Sequence, residues 1–81
     1  MTVTVRLFAR ARDLAGADTL AVELPAGATA ADLRRRLAVQ CPRLAPVLER
    51  SALAVNDEFA DETQPVGPDS AIALLPPVSG G

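Results

Sequence analysis

The groups of this chain that could do chemistry are few, and the sequence ends on the run that stands out among them, Pro76-Pro77-Val78-Ser79-Gly80-Gly81. Two glycines lack Cβ atoms and make the narrowest backbone a protein can build, able to thread a slot that any side chain would block. The Pro-Pro pair ahead of them holds the chain extended and clear of a fold. At roughly 3.1 to 3.3 Å per residue, six residues reach on the order of 20 Å, enough to enter another protein's active site. A carboxylate at Gly81 has an ordinary pKa of about 3.3 to 3.7, so it is ionised and a poor electrophile. To react it must be activated, most economically as a mixed anhydride with AMP. The bland alternative is a frayed terminus without a role, since chain ends are commonly disordered.

Little else competes for a chemical role. The sequence has no His, Lys or Tyr, so the commonest general acids and bases are missing. Ser51, Ser70 and Ser79 therefore have no imidazole to activate them. All eight basic residues are Arg, so no side chain can form a Schiff base or accept an isopeptide bond. Cys41 falls on the apolar stripe of an expected helix and reads as a small hydrophobe. As the single cysteine it cannot close an internal disulfide, which fits a reducing compartment. The usual zinc ligand sets are absent from the sequence. The run Asn56-Asp57-Glu58-Phe59-Ala60-Asp61-Glu62 lacks the Asp-x-Asp-x-Asp-Gly pattern of a calcium loop and reads as a solvated turn. Arg34, Arg35 and Arg36 fan across about 200° of a helix and are expected to project as a solvated rim, with docking as the alternative. Residues that activate Gly81 must then belong to a partner, and the chain itself is substrate and carrier.

At 81 residues the chain has room for one domain. Aromatic residues make up 2%, both of them Phe, so Val, Leu, Ile and Ala must fill a core that is marginal at this size. A net charge of -2 and the lack of stacking aromatics argue against nucleic acid. No apolar run approaches the ~18 to 20 residues of a membrane span. Met1-Thr2-Val3-Thr4 lacks the basic and apolar regions of a signal peptide, and a soluble, cytoplasmic protein is expected.

The elements that must position the tail follow from periodicity. Thr2 to Phe8 alternates as a half-buried strand, with Val3, Val5 and Leu7 on one face and Phe8 on the polar one. Ala9 to Ala15 predicts a short helix or turn stopped by Gly16. Asp18 to Leu24 is a second strand, broken by Pro25-Ala26-Gly27. Thr29-Ala30-Ala31-Asp32 opens the main helix as a capping box, with Leu33, Leu37 and Cys41 as its buried stripe, flanked by Ala30 and Ala38. Pro42 ends that helix, and Pro42 to Arg50 adds a short turn carrying Leu44, Val47 and Leu48. Ala52 to Asn56 and Ala71 to Leu75 are the remaining strands. The order β-β-α-β-β predicts an α+β domain with one main helix against one face of one sheet. Residues 1–75 form the domain and 76–81 the extended tail; if the first and last strands are neighbours, the tail leaves from the centre of the sheet.

Four stretches carry a resemblance: Leu7-Phe8-Ala9-Arg10-Ala11-Arg12-Asp13-Leu14-Ala15-Gly16, Leu24-Pro25-Ala26-Gly27-Ala28-Thr29, Ala54-Val55-Asn56, and Leu74-Leu75-Pro76-Pro77-Val78-Ser79-Gly80-Gly81. Together they resemble the family of small, sulfur-carrier subunits of molybdopterin synthase, and the last stretch is the most specific. The resemblance implies a ubiquitin-like β-grasp fold with a mixed sheet. It implies that Gly81 is adenylated by an activating enzyme that consumes ATP, then converted to a thiocarboxylate with help from a sulfur donor protein. Sulfur is then carried as 1-thioglycine at Gly81, and the chain itself holds no permanent cofactor. Bound to the large subunit in a heterotetramer, the thiocarboxylate would donate sulfur to cyclic pyranopterin monophosphate, with the catalytic residues on the large subunit. Val78, Ser79 and Gly80 thread the partner, and Phe8, Leu75, Pro76 and Pro77 are the candidate docking residues. For Phe8 and Leu75 the alternative is ordinary sheet packing. One departure, Gly67-Pro68-Asp69 where relatives often carry Asp-Gly-Asp, is expected to change loop shape only. Rival readings are a sulfur carrier for thiamine or cysteine biosynthesis, a ubiquitin-like modifier joined to target lysines through Gly81, and a plain interaction module with an inert tail.

Overall fold

The alternation at the start of the chain becomes strand β1 (Thr2–Leu7), with Val3, Val5 and Leu7 buried and Thr2, Thr4 and Arg6 exposed. The structure is a computed structural model and describes residues 1–77. Helix α1 (Ala9–Ala15) is closed by Gly16 at φ 72°, whose N–H donates to the Arg12 carbonyl at 2.9 Å. Glycine takes this left-handed conformation without a Cβ penalty, which is why the helix stops there. Strand β2 (Thr19–Glu23) then runs antiparallel to β1, pairing Val3 with Val22 and Val5 with Leu20.

The main helix, α2 (Ala30–Gln40), begins with the expected capping box. The Asp32 N–H donates to the Thr29 hydroxyl, and the Thr29 N–H donates to the Asp32 carboxylate at 2.9 Å. Its buried stripe is Ala30, Leu33 and Leu37, with Cys41 half-buried just past the end. Ala38 is exposed, contrary to the expected flank, because one residue beyond Leu37 the helix has turned about 100° away from the core.

After one turn of 3-10 helix at Pro42–Leu44, α3 (Ala45–Leu48) buries Val47 and Leu48 and leads into β3 (Ala52–Val55). The run read as a polar turn holds a further strand, β4 (Glu58–Phe59), paired to β3 through Val55↔Glu58 and Ala54↔Phe59. Between them Asn56 and Asp57 both have positive φ, 53° and 70°, the geometry of a two-residue hairpin turn, which Asn and Asp tolerate better than other side chains. The departure at Gly67 is confined to a turn closed by Ser70, whose N–H donates to the Gly67 carbonyl and whose Oγ accepts from the Gly67 N–H.

The final strand, β5 (Ile72–Leu75), is parallel to β1 and antiparallel to β3. The sheet order is β2-β1-β5-β3-β4, so the last strand occupies the centre. Val3, Val5, Leu7, Val22, Leu53, Val55, Ile72 and Leu74 share a core with Leu33 and Leu37 of α2. The α+β order with a mixed sheet and one main helix on one face is therefore present, extended by β4 and two short helices.

Candidate functional site

The residues that alternate with the core form the opposite face of the sheet, which no helix covers among the described residues. Register aligns Arg6, Ala73, Ala54 and Phe59 in one row across β1, β5, β3 and β4, and pairs Ala52 with Leu75 beside it. Small alanines in the middle keep this face low, while Phe8 and Phe59 stand at its sides, 37% and 78% exposed. Two shallow depressions of ≈ 280 and ≈ 480 Å³ share Phe8, Phe59 and Leu75 as walls. The second also reaches Pro76 and Pro77.

The structure thus brings Phe8, Leu75, Pro76 and Pro77 to one surface, and adds Phe59. Leu75 is half-buried and Phe8 is on the open face, as its place in the alternation implied. Phe8 is itself extended, and the chain turns sharply just after it: Ala9 has φ 50°, a left-handed conformation that costs a residue with a Cβ roughly 1 to 2 kcal/mol. The Arg6 guanidinium lies over the Phe8 ring, 5.3 Å from its centroid. Phe59 was missed because its neighbours are acidic and polar; the signal available was Asn56-Asp57 placed two residues before it, after an alternating strand. Val78, Ser79, Gly80 and Gly81 lie outside the described residues.

Elsewhere the candidate chemistry is absorbed by structure. Ser51 is buried, and its Oγ donates to the Val47 carbonyl at 2.7 Å. Arg34 is not part of a solvated rim. Its guanidinium donates to the carbonyls of Leu48 and Ser51 at 2.6 and 2.9 Å and pairs with Glu62 at 3.2 Å. It joins the Ser51 N–H in donating to the Leu48 carbonyl at the end of α3, holds the Ser51 carbonyl just ahead of β3, and ties α2 to α3 and to the loop after β4. Arg35 and Arg36 are exposed as expected, with Arg35 paired to Asp32. The Asp32 carboxyl is held below the usual aspartate range, mainly by the hydrogen bond from the Thr29 backbone N–H, with the Thr29 hydroxyl and Arg35 assisting against desolvation. Among the described residues no His, Cys, Asp and Glu side chains converge in a group of three, and no helix is long and apolar enough to cross a membrane.

Comparison with known proteins places this open-faced sheet. The model of the ThiS family matches residues 5–81. The chain belongs to the ThiS family. It is 38% identical over 80 residues to the molybdopterin synthase sulfur carrier subunit of Dictyostelium discoideum, covering 95% of this chain and 93% of that protein. Among solved structures it is similar to SAMP1, the small archaeal modifier protein 1 of Haloferax volcanii, with a TM-score of 0.87, 28% identity and 100% of both chains covered. It is also similar to a chain in the protein–protein complex of subunits 1 and 2 of molybdopterin-converting factor from Helicobacter pylori, with a TM-score of 0.70, 28% identity and 100% of both chains covered. The fold is the ubiquitin-like β-grasp.

Proposed function

We propose that this chain is the sulfur carrier subunit of a molybdopterin synthase, with Gly81 as the carboxyl terminus that carries the sulfur. The observation that carries the reading is the course of the chain at β5. The central strand of the sheet runs directly into Pro76-Pro77 at the edge of an apolar face that no other described element covers, and the sequence continues from there to Gly80-Gly81. A partner that docks on this face receives the tail at a fixed point, and docking and delivery become one event. The identity to sulfur carrier subunits over nearly the whole chain supports the same assignment.

In this reading the chain supplies position and the carboxylate, and its partners supply catalysis. An activating enzyme joins the Gly81 carboxylate to AMP, with ATP giving up pyrophosphate. A donor that delivers sulfur at the sulfide level then attacks the acyl carbon. The acyl–phosphate bond breaks, AMP leaves, and Gly81 ends as a thiocarboxylate. On the large subunit the thiocarboxylate sulfur bonds to cyclic pyranopterin monophosphate. Water then cleaves the acyl–sulfur bond, leaving the sulfur on the pterin and restoring the glycine carboxylate. The chain has no His, Lys or Tyr to take part in these steps, consistent with a carrier rather than a catalyst. The complex formed by the similar H. pylori chain supports a large-subunit partner.

Intact mass after incubation with activating enzyme, ATP and sulfur donor tests the assignment. Replacement of one oxygen by sulfur at Gly81 is expected, and a residue added after Gly81 abolishes it because the reacting carboxylate has moved. An unchanged mass with a demonstrably active enzyme and donor sinks the carrier role. Transfer from the product to the pterin precursor, with the large subunit present, separates this role from service in another sulfur pathway. The likeness to a small archaeal modifier protein favours one second reading, attachment to target proteins through Gly81. It predicts high-mass conjugates on an immunoblot that vanish when Gly81 is deleted.

A further inference from the structure

The apolar face holds two arginines without a carboxylate partner among the described residues. Arg6 borders the depression over Ala54 and Ala73, and Arg50 borders the one beside Pro76 and Pro77. Both are exposed, and among the described residues neither forms an ion pair; the pairs that form use Arg12, Arg34 and Arg35. Asp57 also borders the Arg6 depression without pairing to it. These cations do not reflect a basic surface, because the chain's net charge is -2. An acidic partner is repelled by the molecule as a whole, so any attraction must be local to this face.

We infer that the partner surface which receives the tail is apolar and carries two carboxylates, one opposite Arg6 and one opposite Arg50. The inference rests on the carrier reading and specifies the partner that reading requires. Docking against Phe8, Phe59 and Leu75 strips water from the two guanidiniums, which are walls of the same depressions. A guanidinium that loses water without gaining an acceptor opposes binding, so the partner must supply one at each position. A carboxylate matches the planar fork of arginine with two parallel hydrogen bonds. Arg6 rests over the Phe8 ring, so less of its freedom remains to be lost on docking. The pair also fixes orientation: Arg50 marks the end of the face where the tail departs, and Arg6 lies along the sheet from it.

Titration calorimetry of the full chain into its large subunit, at low and high salt, tests the inference. Arg6→Ala and Arg50→Ala are each expected to weaken binding about tenfold at low salt, and the double variant to lose most of the salt dependence. Arg6→Lys and Arg50→Lys keep the charge without the fork and should fall between wild type and alanine. Both residues are exposed, so melting curves of the variants should overlay that of the wild type. A double variant that binds as the wild type does, with the same salt dependence, while Phe59→Ala weakens binding, overturns the carboxylate requirement and leaves the docking face standing. A wild-type chain that does not bind the large subunit overturns the carrier assignment and the inference with it.

Discussion

The two faces of the sheet are built from alternate residues of the same strands, yet they do opposite things. Toward α2 the strands present Val3, Val5, Leu7, Leu53, Val55, Ile72 and Leu74, each no more than 6% exposed. Toward the open side they present Arg6, Ala54, Ala73 and Leu75, with the phenylalanines at the margins. Aliphatic side chains of matched size fill the closed face, as a small core requires. Alanines and two exposed rings leave the other face shallow and, among the described residues, without a covering element. One pattern with a period of two therefore separates stability from recognition. Neighbours such as Leu74 and Leu75 fall on opposite sides of that division.

That division can be broken most sharply at this pair. Leu74 is fully buried, and Leu74→Ala should cost about 2 to 5 kcal/mol of folding free energy through lost burial and a residual cavity. For a domain of this size each ~1 kcal/mol lowers Tm by roughly 4 to 8 °C, so thermal unfolding reads the effect directly. Leu75→Ala should lower Tm by far less while weakening the large-subunit complex. Equal losses of stability from both substitutions would mean the open face is core after all.

Phe59 gives the next largest effect and belongs to recognition alone. At 78% exposure its ring adds little to folding, and Phe59→Ala should change stability by no more than ~0.5 kcal/mol. If it anchors the partner, binding falls by about 2 kcal/mol, or roughly thirtyfold. Calorimetry and a melting curve on one sample give both quantities, and a large shift in Tm would return Phe59 to a structural role.

Legibility in the sequence follows the range of the interactions. The alternation of β1 and β5, the stop at Gly16 and the capping box at Thr29 and Asp32 are local, and each could be read from a few residues. Strand β4 is two residues long and too short to show a period. The partners of Arg34 lie 14, 17 and 28 residues away, so nothing near it marks it as a structural cation. Phe8 could be placed on the open face from the alternation of β1, whereas Leu75, half-buried in the structure, could be named through the resemblance alone. That Phe59, Arg6 and Arg50 join them depends on β5 inserting between β1 and β3, a consequence of topology that no short window contains.

The smallest expected effect lies on the closed side and concerns pH. The folded-state pKa of Asp32 is lowered, chiefly by the Thr29 backbone N–H, so the ionised carboxylate stabilises the start of α2. A depressed pKa contributes stability that is fully present above the ordinary aspartate value. That contribution is lost as pH falls through the ordinary value and on through the lower folded one. Asp32→Asn keeps a short polar side chain but removes the titration. Between neutral pH and about pH 3, the Tm of the wild type should therefore fall further than that of Asp32→Asn. The difference between the two curves isolates Asp32 from the other carboxylates, which titrate in both proteins. Parallel curves would show that the cap adds nothing dependent on charge. Large-subunit affinity measured at neutral pH should be unchanged in Asp32→Asn, because α2 begins on the covered side of the sheet and the partner is expected on the other.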